Sequence, residues 1–401
     1  MTDLEFDMLA ESAIRSGRAT DAYFDRTVTT LESAGRNPTV VAEVTADQFS
    51  DGEFELFAGV KDAAALLSGR SVDVDALPEG TFFDGGPVMR IEGPYLEFAR
   101  LETSLLGFLS HASGIATAAR RVRAAAPETP VLSFGARHVH PAIAPIVERG
   151  ALLAGIDGFS HVAAGDVIGR EAAGTMPHAL LLVFGDGNQE DAWRAFDAAV
   201  DDETQRIALC DTFTDEVDES IRAAEALGDR LDGVRLDTTG SRRGDFEHIV
   251  REVRWKLDER GFDDVDIFLS GGLGPEELFE LCDVADGFGV GSAISNADPV
   301  DFALDLVVVE GEPTAKRGKL PGVKEVYRTV DGEHLIRPRD DSAPSGADAL
   351  MEPLLRDGDP VGPFELDSAI DRAESDAERI GFDEAVREEL CDRRPRRDRC
   401  V

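Results

Sequence analysis

The chain has 401 residues, of which 42% are hydrophobic, so it can bury the cores of two or three domains. Its 80 acidic residues outnumber 41 Lys and Arg, giving a net charge of −39, and only five residues are lysines. This composition excludes nucleic acid as a partner and indicates a halophilic surface, because charge repulsion is screened to within about 3 Å in 1 M salt.

The N-terminal stretch MTDLEFDMLAESA has neither a basic start nor an apolar core, so it does not read as a signal peptide. The longest apolar runs, such as ALLLVF, are far shorter than a membrane span. We therefore expect a cytoplasmic protein with no membrane partner.

Residues 40–100 contain short apolar stretches separated by glycines, which predicts a sheet with one helix near residues 60–68. From residue 101, apolar residues recur at helical spacing and predict one long helix or two short ones.

From residue 131 the chain alternates between strands and helices. VLSFGAR, RIALCD, GVRLDT and DIFLSGG each precede a helical pattern, and GFGVGS closes the series. Repeats of this size predict a parallel α/β architecture, namely an irregular, TIM-like α/β barrel. Polar residues or glycines follow four of the strands, at the end that carries the active site in such barrels. They are Asp211, Asp237, Gly271 with Gly272, and Gly289, Gly291 and Ser292.

The domain prediction has four parts. Residues 1–110 form an N-terminal α/β sandwich, 111–298 form the barrel with the active site, and 299–340 return to the sandwich. The polar stretch PRDDSAPSGAD then marks 341–401 as a linker followed by a C-terminal helical extension.

The stretch SFGARHVHP (133–141) supports two interpretations. H-x-H on a strand places His138 and His140 on one face, as a metal site requires. Alternatively, Phe134 is the face of a pocket for a flat anionic ring, and Arg137 supplies the counter-charge. Either histidine can equally be a core or capping residue.

The glycines and carboxylates also have two interpretations each. SGGLG and GVGS place bare backbone at two strand ends, which suits a phosphate, although glycine is common in tight turns. Arg235 and Asp237 either hold a ligand together with Asp211 or form a local ion pair. His178 follows a Gly-Thr turn and reads equally as an ordinary loop histidine.

Lysines cluster at Lys316, Lys319 and Lys324, which indicates a polyanion contact or, alternatively, a salt-exposed hairpin. The four cysteines contain no C-x-x-C pair, so we expect neither a disulfide framework nor zinc.

Taken together, eight stretches in order resemble the nicotinate phosphoribosyltransferases over roughly residues 15–330. They are ATDAYFDRT (19–27), ETSLLGFLSHASGIAT (102–117), SFGARHVHP (133–141), GIDGFSHVAAG (155–165), GTMPHA (174–179), GVRLDTTGS (233–241), IFLSGGL (267–273) and FGVGS (288–292). The SGIAT segment is also similar to the sister quinolinate phosphoribosyltransferases. Those usually carry a T-R-K-T-x-P-G-like element where this chain has SFGARHVHP, which favours nicotinate.

The resemblance implies an open α/β sandwich beside an irregular barrel, in a homodimer or higher homo-oligomer with shared active sites. It implies that nicotinate and phosphoribosyl pyrophosphate give nicotinate mononucleotide and pyrophosphate in NAD biosynthesis, with Mg²⁺ and with ATP as a co-substrate.

The resemblance also assigns residues. Phe134 would stack on the pyridine ring, with Tyr23 of the other subunit on its second face. Arg137, Arg235 and His140 would face nicotinate. Ser160 stands where nicotinamide-using relatives carry an aspartate, and a hydroxyl can donate to a carboxylate that an aspartate would repel.

The reaction centre follows in the same way. Asp211 and Asp237 would bind ribose and magnesium pyrophosphate, and His178 would be phosphorylated by ATP. The 5′-phosphate would lie on the glycines and Ser292 named above, with Arg26, Lys316 and Lys319 at the pyrophosphate or ATP. His138 stands where a second arginine is common, which leaves the second charge partner open. A metal-dependent barrel hydrolase and a non-catalytic phosphate-binding barrel remain the alternatives of a different class.

Overall fold

A computed structural model describes residues 6–47, 49, 52–237, 245–330 and 332–393. The chain divides into two compact units. The sandwich unit comprises residues 1–117 and 298–382, and the barrel unit comprises residues 118–297 and 383–401. The α/β fold class with a separate N-terminal domain is therefore as predicted.

The strands and helices of the described residues are as follows. The strands are β1 (Thr39–Ala46), β2 (Glu55–Leu56), β3 (Asp73–Ala76), β4 (Phe82–Phe83), β5 (Gly86–Pro94), β6 (Val131–Ser133), β7 (Gly158–Phe159), β8 (Ile207–Leu209), β9 (Gly233–Leu236), β10 (Asp266–Ser270), β11 (Gly287–Val290), β12 (Phe302–Val309), β13 (Glu312–Pro313), β14 (Lys324–Thr329), β15 (His334–Pro338), β16 (Ala347–Ala349), β17 (Glu352–Arg356) and β18 (Asp359–Pro360). The helices are α1 (Glu11–Arg15), α2 (Ala22–Ser33), α3 (Val60–Leu67), α4 (Glu102–Ala125), α5 (Ala144–Leu153), α6 (Val162–Ile168), α7 (His178–Phe184), α8 (Gln189–Ala199), α9 (Glu216–Leu227), α10 (Phe246–Asp258), α11 (Pro275–Leu281), α12 (Ser292–Ser295), α13 (Leu366–Ile380) and α14 (Phe382–Arg393).

The sandwich unit is built on an antiparallel sheet of order β13-β12-β1-β5-β3-β17-β18. Its interior strand β1 is buried over residues 40–44, so the sequence there is continuously apolar except for Glu43. Helix α3 packs its Ala and Leu residues into the same core. The long apolar segment from residue 102 is one helix, α4.

Ion pairs hold the sandwich unit where its charges are buried. Arg90 is 4% exposed, and its two terminal nitrogens lie 3.0 Å from Asp75 and 3.1 Å from Glu325. Arg328 pairs with Asp376 of α13, whose second oxygen accepts a hydrogen bond from the Phe82 N–H at 2.8 Å. These contacts join β14 and α13 to β3, β4 and β5.

The predicted linker after residue 340 is wrong. Strand β16 pairs with β14, and β17 joins β3 of the main sheet. Helix α13 buries Ala369, Ala373 and Ala377 in the sandwich unit. The polar stretch is therefore a loop between strands, and its composition alone does not distinguish a surface loop from a linker.

The predicted boundaries also shift. The barrel unit begins at residue 118 rather than 111, because α4 continues unbroken through that region. Helix α14 returns to the barrel unit, where Asp383 pairs with Arg120 and Glu389 pairs with Arg121.

The barrel unit contains six parallel strands in the order β7-β6-β11-β10-β9-β8. The pairing of β11, the last strand of this sheet along the chain, with β6, the first, gives the order of a barrel that stays open at one place. Among the described residues, the break in this ring lies between β7 and β8, and we call it the seam. The segment 160–206, which contains α6, α7 and α8, connects the two strands at the seam.

No helix within the described residues combines the length and the apolar character needed to cross a membrane.

Candidate active site

Residues at the carboxyl ends of five of the six barrel strands line a cavity of about 810 Å³. Most of the predicted site residues line it. They are Phe134, Arg137, Ser160, His178, Arg235, Asp237, Gly271, Gly272, Gly289, Gly291 and Ser292. The strand-end pattern in the sequence thus converges on one place, as parallel barrel topology requires.

Phe134 follows β6 and forms an aromatic wall of the cavity. Its N–H donates to the Val290 carbonyl at 2.7 Å, which extends the β6–β11 pairing by one residue. Its ring lies on Gly289, because a Cβ built at that glycine would be 2.4 Å from the ring Cε2. The Phe134 ring therefore requires a glycine at position 289, whether or not that residue also contacts a phosphate.

Arg235 points from β9 over the face of Phe134, with its guanidinium carbon 5.9 Å from the ring centroid. One terminal nitrogen donates to the Met176 carbonyl at 3.0 Å, while the buried Nε has no hydrogen-bond partner among the described residues. Burial lowers the pKa of this guanidinium, although Asp237 and Asp211 act in the opposite direction. An aromatic face beneath a partly unsatisfied cation suits a flat, anionic ring.

His178, the first residue of α7, lies between two carboxylates. Its Nε2 is 2.9 Å from Asp211 Oδ1, and its Nδ1 is 3.7 Å from Asp237 Oδ2. The Asp211 side chain is only 1% exposed, and burial raises its pKa. Asp211 therefore lies behind His178 and does not line the cavity, in contrast to Asp237.

Asp237 is oriented by the backbone and by a neighbouring strand. Its N–H donates to Asp211 Oδ2 at 2.5 Å, and the Ser270 hydroxyl donates to its Oδ1. Gly271 has a φ of +101°, and a Cβ there would lie 2.2 Å from the Asp237 carbonyl oxygen. The glycine pair after β10 thus lets the two strand ends approach closely.

Ser160 follows β7, and its N–H donates to the Ser133 carbonyl at 3.1 Å. The end of β6 therefore supports Ser160 on one side and continues into Phe134. The two residues assigned to the pyridine ring share this short piece of backbone.

The histidines of SFGARHVHP do not form a metal site. The segment is a 3₁₀ turn (Ala136–His138) rather than a strand, so the two imidazoles do not share a face. His138 lines the cavity with its Nδ1 3.3 Å from Ser295 Oγ. His140 is outside the cavity lining, and its Nδ1 accepts the Ala142 N–H at 3.2 Å. His140 thus caps the turn Pro141–Ile143, and its assignment to the substrate stays a prediction. Within the described residues, no group of three or more His, Cys, Asp or Glu is arranged to hold a metal ion.

Four further predicted residues lie in the sandwich unit. Tyr23 and Arg26 are exposed on α2, and the Tyr23 hydroxyl donates to Asp21 at 3.1 Å. Lys316 lies 2.6 Å from Asp305, and Lys319 lies 3.3 Å from Asp47. The substrate role of Tyr23 and the phosphate-binding roles of Arg26, Lys316 and Lys319 stay predictions.

The sequence interpretation missed two contributors. Ser270 orients Asp237, and the Met176 carbonyl holds Arg235. Ser270 immediately precedes the glycine pair that the sequence singled out, so its position at a strand end was available as a signal. A backbone carbonyl gives no such signal.

Comparison with known proteins identifies the family. Two family models match: quinolinate phosphoribosyl transferase, N-terminal domain, over residues 21–113, and the C-terminal domain over residues 115–305. A nicotinate phosphoribosyltransferase of Mycobacterium tuberculosis is 34% identical over 325 residues, which cover 77% of this chain and 66% of that protein. A second one from the same species is 30% identical, covering 80% of this chain and 76% of its own.

The crystal structure of nicotinate-nucleotide pyrophosphorylase from Pyrococcus furiosus has the same fold. It superposes with a TM-score of 0.89 at 46% identity, covering 94% of this chain and 99% of that chain. These matches confirm the resemblance seen in the sequence motifs. The chain therefore belongs to the type II phosphoribosyltransferase family, together with the nicotinate and quinolinate phosphoribosyltransferases.

Proposed function

We propose that this protein transfers the phosphoribosyl group of phosphoribosyl pyrophosphate to nicotinate, giving nicotinate mononucleotide and pyrophosphate for NAD biosynthesis. The observation that carries the proposal is the buried Arg235 guanidinium above the Phe134 ring, with an Nε that has no partner among the described residues. A pyridine ring that stacks on Phe134 would place its carboxylate against this cation.

Ser160 supports the acid over the amide as substrate. It lines the same cavity, and its hydroxyl can donate a hydrogen bond to a carboxylate. Asp237 is the one carboxylate among the described residues that line this cavity, and nicotinate would meet donors at Ser160 and Arg235. Quinolinate carries a second carboxylate and would need a further cation, for which Arg137 at the cavity is the candidate. The names of the relatives include both substrates, so quinolinate is the second candidate.

In the proposed reaction the pyridine nitrogen attacks C1 of the ribose as the bond to pyrophosphate breaks. Positive charge develops on the ribose ring, and Asp237 at the cavity wall would stabilise it. The glycine-lined strand ends at Gly271, Gly272 and Gly291 leave room for the 5′-phosphate. The pyridinium product is neutralised by its own carboxylate.

Mg²⁺ fits this site as an ion carried largely by the substrate. Mg²⁺ usually takes one or two protein carboxylates and completes its shell with phosphates and water. Asp237 faces the cavity, whereas Asp211 is held behind it, so Asp237 is the residue that would hold the ion. When bound, the ion would neutralise charge on the leaving pyrophosphate.

ATP coupling is proposed through His178. A carboxylate accepts only, so the Asp211 contact at 2.9 Å favours the tautomer with hydrogen on Nε2. Nδ1 then keeps its lone pair, and His178 lines the cavity. That nitrogen would attack the γ-phosphorus of ATP with release of ADP, while Asp211 stabilises the charge on the ring.

We further propose a homodimer in which Tyr23 and Arg26 of one subunit complete the site of the other. Tyr23 is 59% exposed on α2, which leaves its ring accessible to a second subunit. Dimerisation can be tested by sedimentation, and sharing by mixing Tyr23→Ala chains with Phe134→Ala chains, since each mixed dimer regains one intact site.

The decisive experiment measures mononucleotide formation from nicotinate, nicotinamide and quinolinate, each with phosphoribosyl pyrophosphate and Mg²⁺ in molar KCl. We expect product from nicotinate, and we expect ATP to stimulate wild-type protein but not His178→Ala. Product from quinolinate instead would replace the substrate assignment. A folded protein that binds a sugar phosphate without turnover would favour a non-catalytic barrel, and metal retained through dialysis would favour a hydrolase.

A further inference from the structure

Glu148 is a carboxyl group buried in the barrel unit with nothing to neutralise it. It lies on α5 and is 0% exposed, between the buried Val147 and Ala151. Neither of its oxygens has a hydrogen-bond partner among the described residues. Burying an ionised carboxylate without a partner costs free energy, so burial favours the protonated form of such a group.

The surroundings of Glu148 contain charged groups, but none of those in the described part of the chain shifts its pKa. The elements packed against α5 include α6, β7, α12 and the 3₁₀ turn of residues 136–138, which carry Asp166, Arg137 and His138. Burial raises the pKa of Glu148 to about 7, and the opposing effect comes from the Ser133 side chain. The carboxyl therefore faces a hydroxyl rather than a cation.

Ser133 connects this carboxyl to the cavity. It is the last residue of β6, is fully buried, and its Oγ also has no hydrogen-bond partner among the described residues. The next residue is Phe134, and the Ser133 carbonyl accepts the Ser160 N–H at 3.1 Å. Both residues assigned to the pyridine ring are thus fixed to the backbone of Ser133.

We propose that Glu148 is a positioning residue of the pyridine pocket, in which its uncharged carboxyl packs beside the Ser133 side chain, behind the strand end that carries Phe134 and Ser160. The inference rests on the proposed function and deepens it, because it concerns the binding of the ring rather than the chemistry at ribose. Glu148 touches neither substrate nor reacting atoms.

The proposal predicts that binding of the pyridine ring depends on pH. Ionisation of Glu148 would place a charge behind β6 and disturb the pocket, so ring binding weakens as the pH rises through about 7. Glu148→Gln keeps the shape and the neutral state, and it removes the titration. Ser133→Ala removes the group that lowers the pKa of Glu148, so it shifts the midpoint of the transition to higher pH.

The test is the dissociation constant of nicotinate, measured by calorimetry from about pH 6 to about pH 8.5 in molar KCl. We expect a rise of about tenfold for wild type and less than about twofold for Glu148→Gln. Val147→Ala is the matched control, because it removes volume from the same helix without removing a titratable group; its pH profile should follow wild type. Should Glu148→Gln be poorly folded, the midpoint shift in Ser133→Ala carries the test.

A thermal unfolding series on the same proteins separates the possible failures. If Glu148→Gln flattens the pH dependence of stability but binds nicotinate with the wild-type profile, the carboxyl is merely structural and the positioning role is overturned. If the protein binds none of nicotinate, nicotinamide and quinolinate, the proposed function fails and the positioning role falls with it.

Discussion

Arg90 in the sandwich unit and Arg235 in the barrel unit are held in opposite ways. In the sandwich unit, Arg90 is enclosed by Asp75 and Glu325, and Arg328 is paired with Asp376. In the barrel unit, Arg235 keeps a buried Nε without a partner in the described structure, above the open face of Phe134. Satisfied networks fix the relative position of strands and helices. Charge left partly unsatisfied at the end of a barrel strand indicates where a ligand completes the network.

The largest expected effect is on catalysis. Asp237→Asn keeps the size of the side chain and removes the charge facing the ribose, so kcat/KM should fall about a thousandfold. The melting temperature should change little, because Asp237 is on the cavity wall rather than in the core. Steady-state kinetics and thermal unfolding test this pair of outcomes. A fall of less than tenfold would show that the carboxylate does not act on the transition state.

The next largest effect is on stability and comes from the ion pairs around Arg90. Arg90→Met removes the buried cation from Asp75 and Glu325, which keep Arg356 and Arg339 as partners, so the free energy of unfolding should fall by about 2 kcal/mol. Urea unfolding measures the loss, and KM for both substrates should remain unchanged. A change in KM without a loss of stability would mean that the sandwich unit contributes to the site through this network.

Removing the Arg235 cation should weaken binding of the nicotinate carboxylate. Arg235→Gln should raise KM for nicotinate about thirtyfold and leave binding of phosphoribosyl pyrophosphate within about twofold of wild type. Arg137→Gln is the matched control at the same cavity, and the larger of the two effects identifies the main carboxylate partner. An equal loss for nicotinamide and nicotinate in Arg235→Gln would contradict a role in binding the carboxylate.

The smallest expected effect concerns Glu102, a carboxyl in the sandwich unit whose charge is only partly compensated by a cation. Burial and then Asp305 raise the pKa of Glu102 to about 7, against the opposing Lys316. The folded protein therefore retains a proton that the unfolded chain releases, and stability falls as the pH rises from about 4.5 to about 7. Glu102→Gln should remove this slope, a difference of order 1 kcal/mol after solvent screening.

Chemical denaturation across that pH range checks the expectation for Glu102. Lys316→Met is the matched variant and should steepen the slope, because it removes the opposing cation. Parallel curves for wild type and Glu102→Gln would mean that Glu102 is already ionised in the folded protein.

The sequence predicted the site better than it predicted the domain limits. Asp237, Gly271 and Gly289 follow directly from strand periodicity, because parallel strands bring their carboxyl ends to one rim. His178 lies on α7, outside any strand, and only the family resemblance identified it. Local patterns cannot reveal contacts that depend on how distant segments meet, and the strands after residue 340 are of this kind.

Glu148 illustrates a second limit. Within the segment APIVERG it reads as a solvated charge on a helix, and only the packing of α5 against the barrel shows that it points inward. His140 shows the reverse: an H-x-H pattern suggested a ligand, and a turn made the residue a cap. In both cases backbone conformation decided the role, and composition did not.

The seam between β7 and β8 has a consequence for the evolution of this fold. The segment that bridges it carries Ser160, proposed to select acid over amide, and His178, proposed to link the reaction to ATP. Phe134, Asp237 and the glycine-containing strand ends, proposed to hold the ring, the ribose and the 5′-phosphate, follow the paired strands of the ring. Changes in substrate choice or energy coupling can therefore accumulate in one replaceable stretch of chain, while the inherited machinery for phosphoribosyl transfer stays intact.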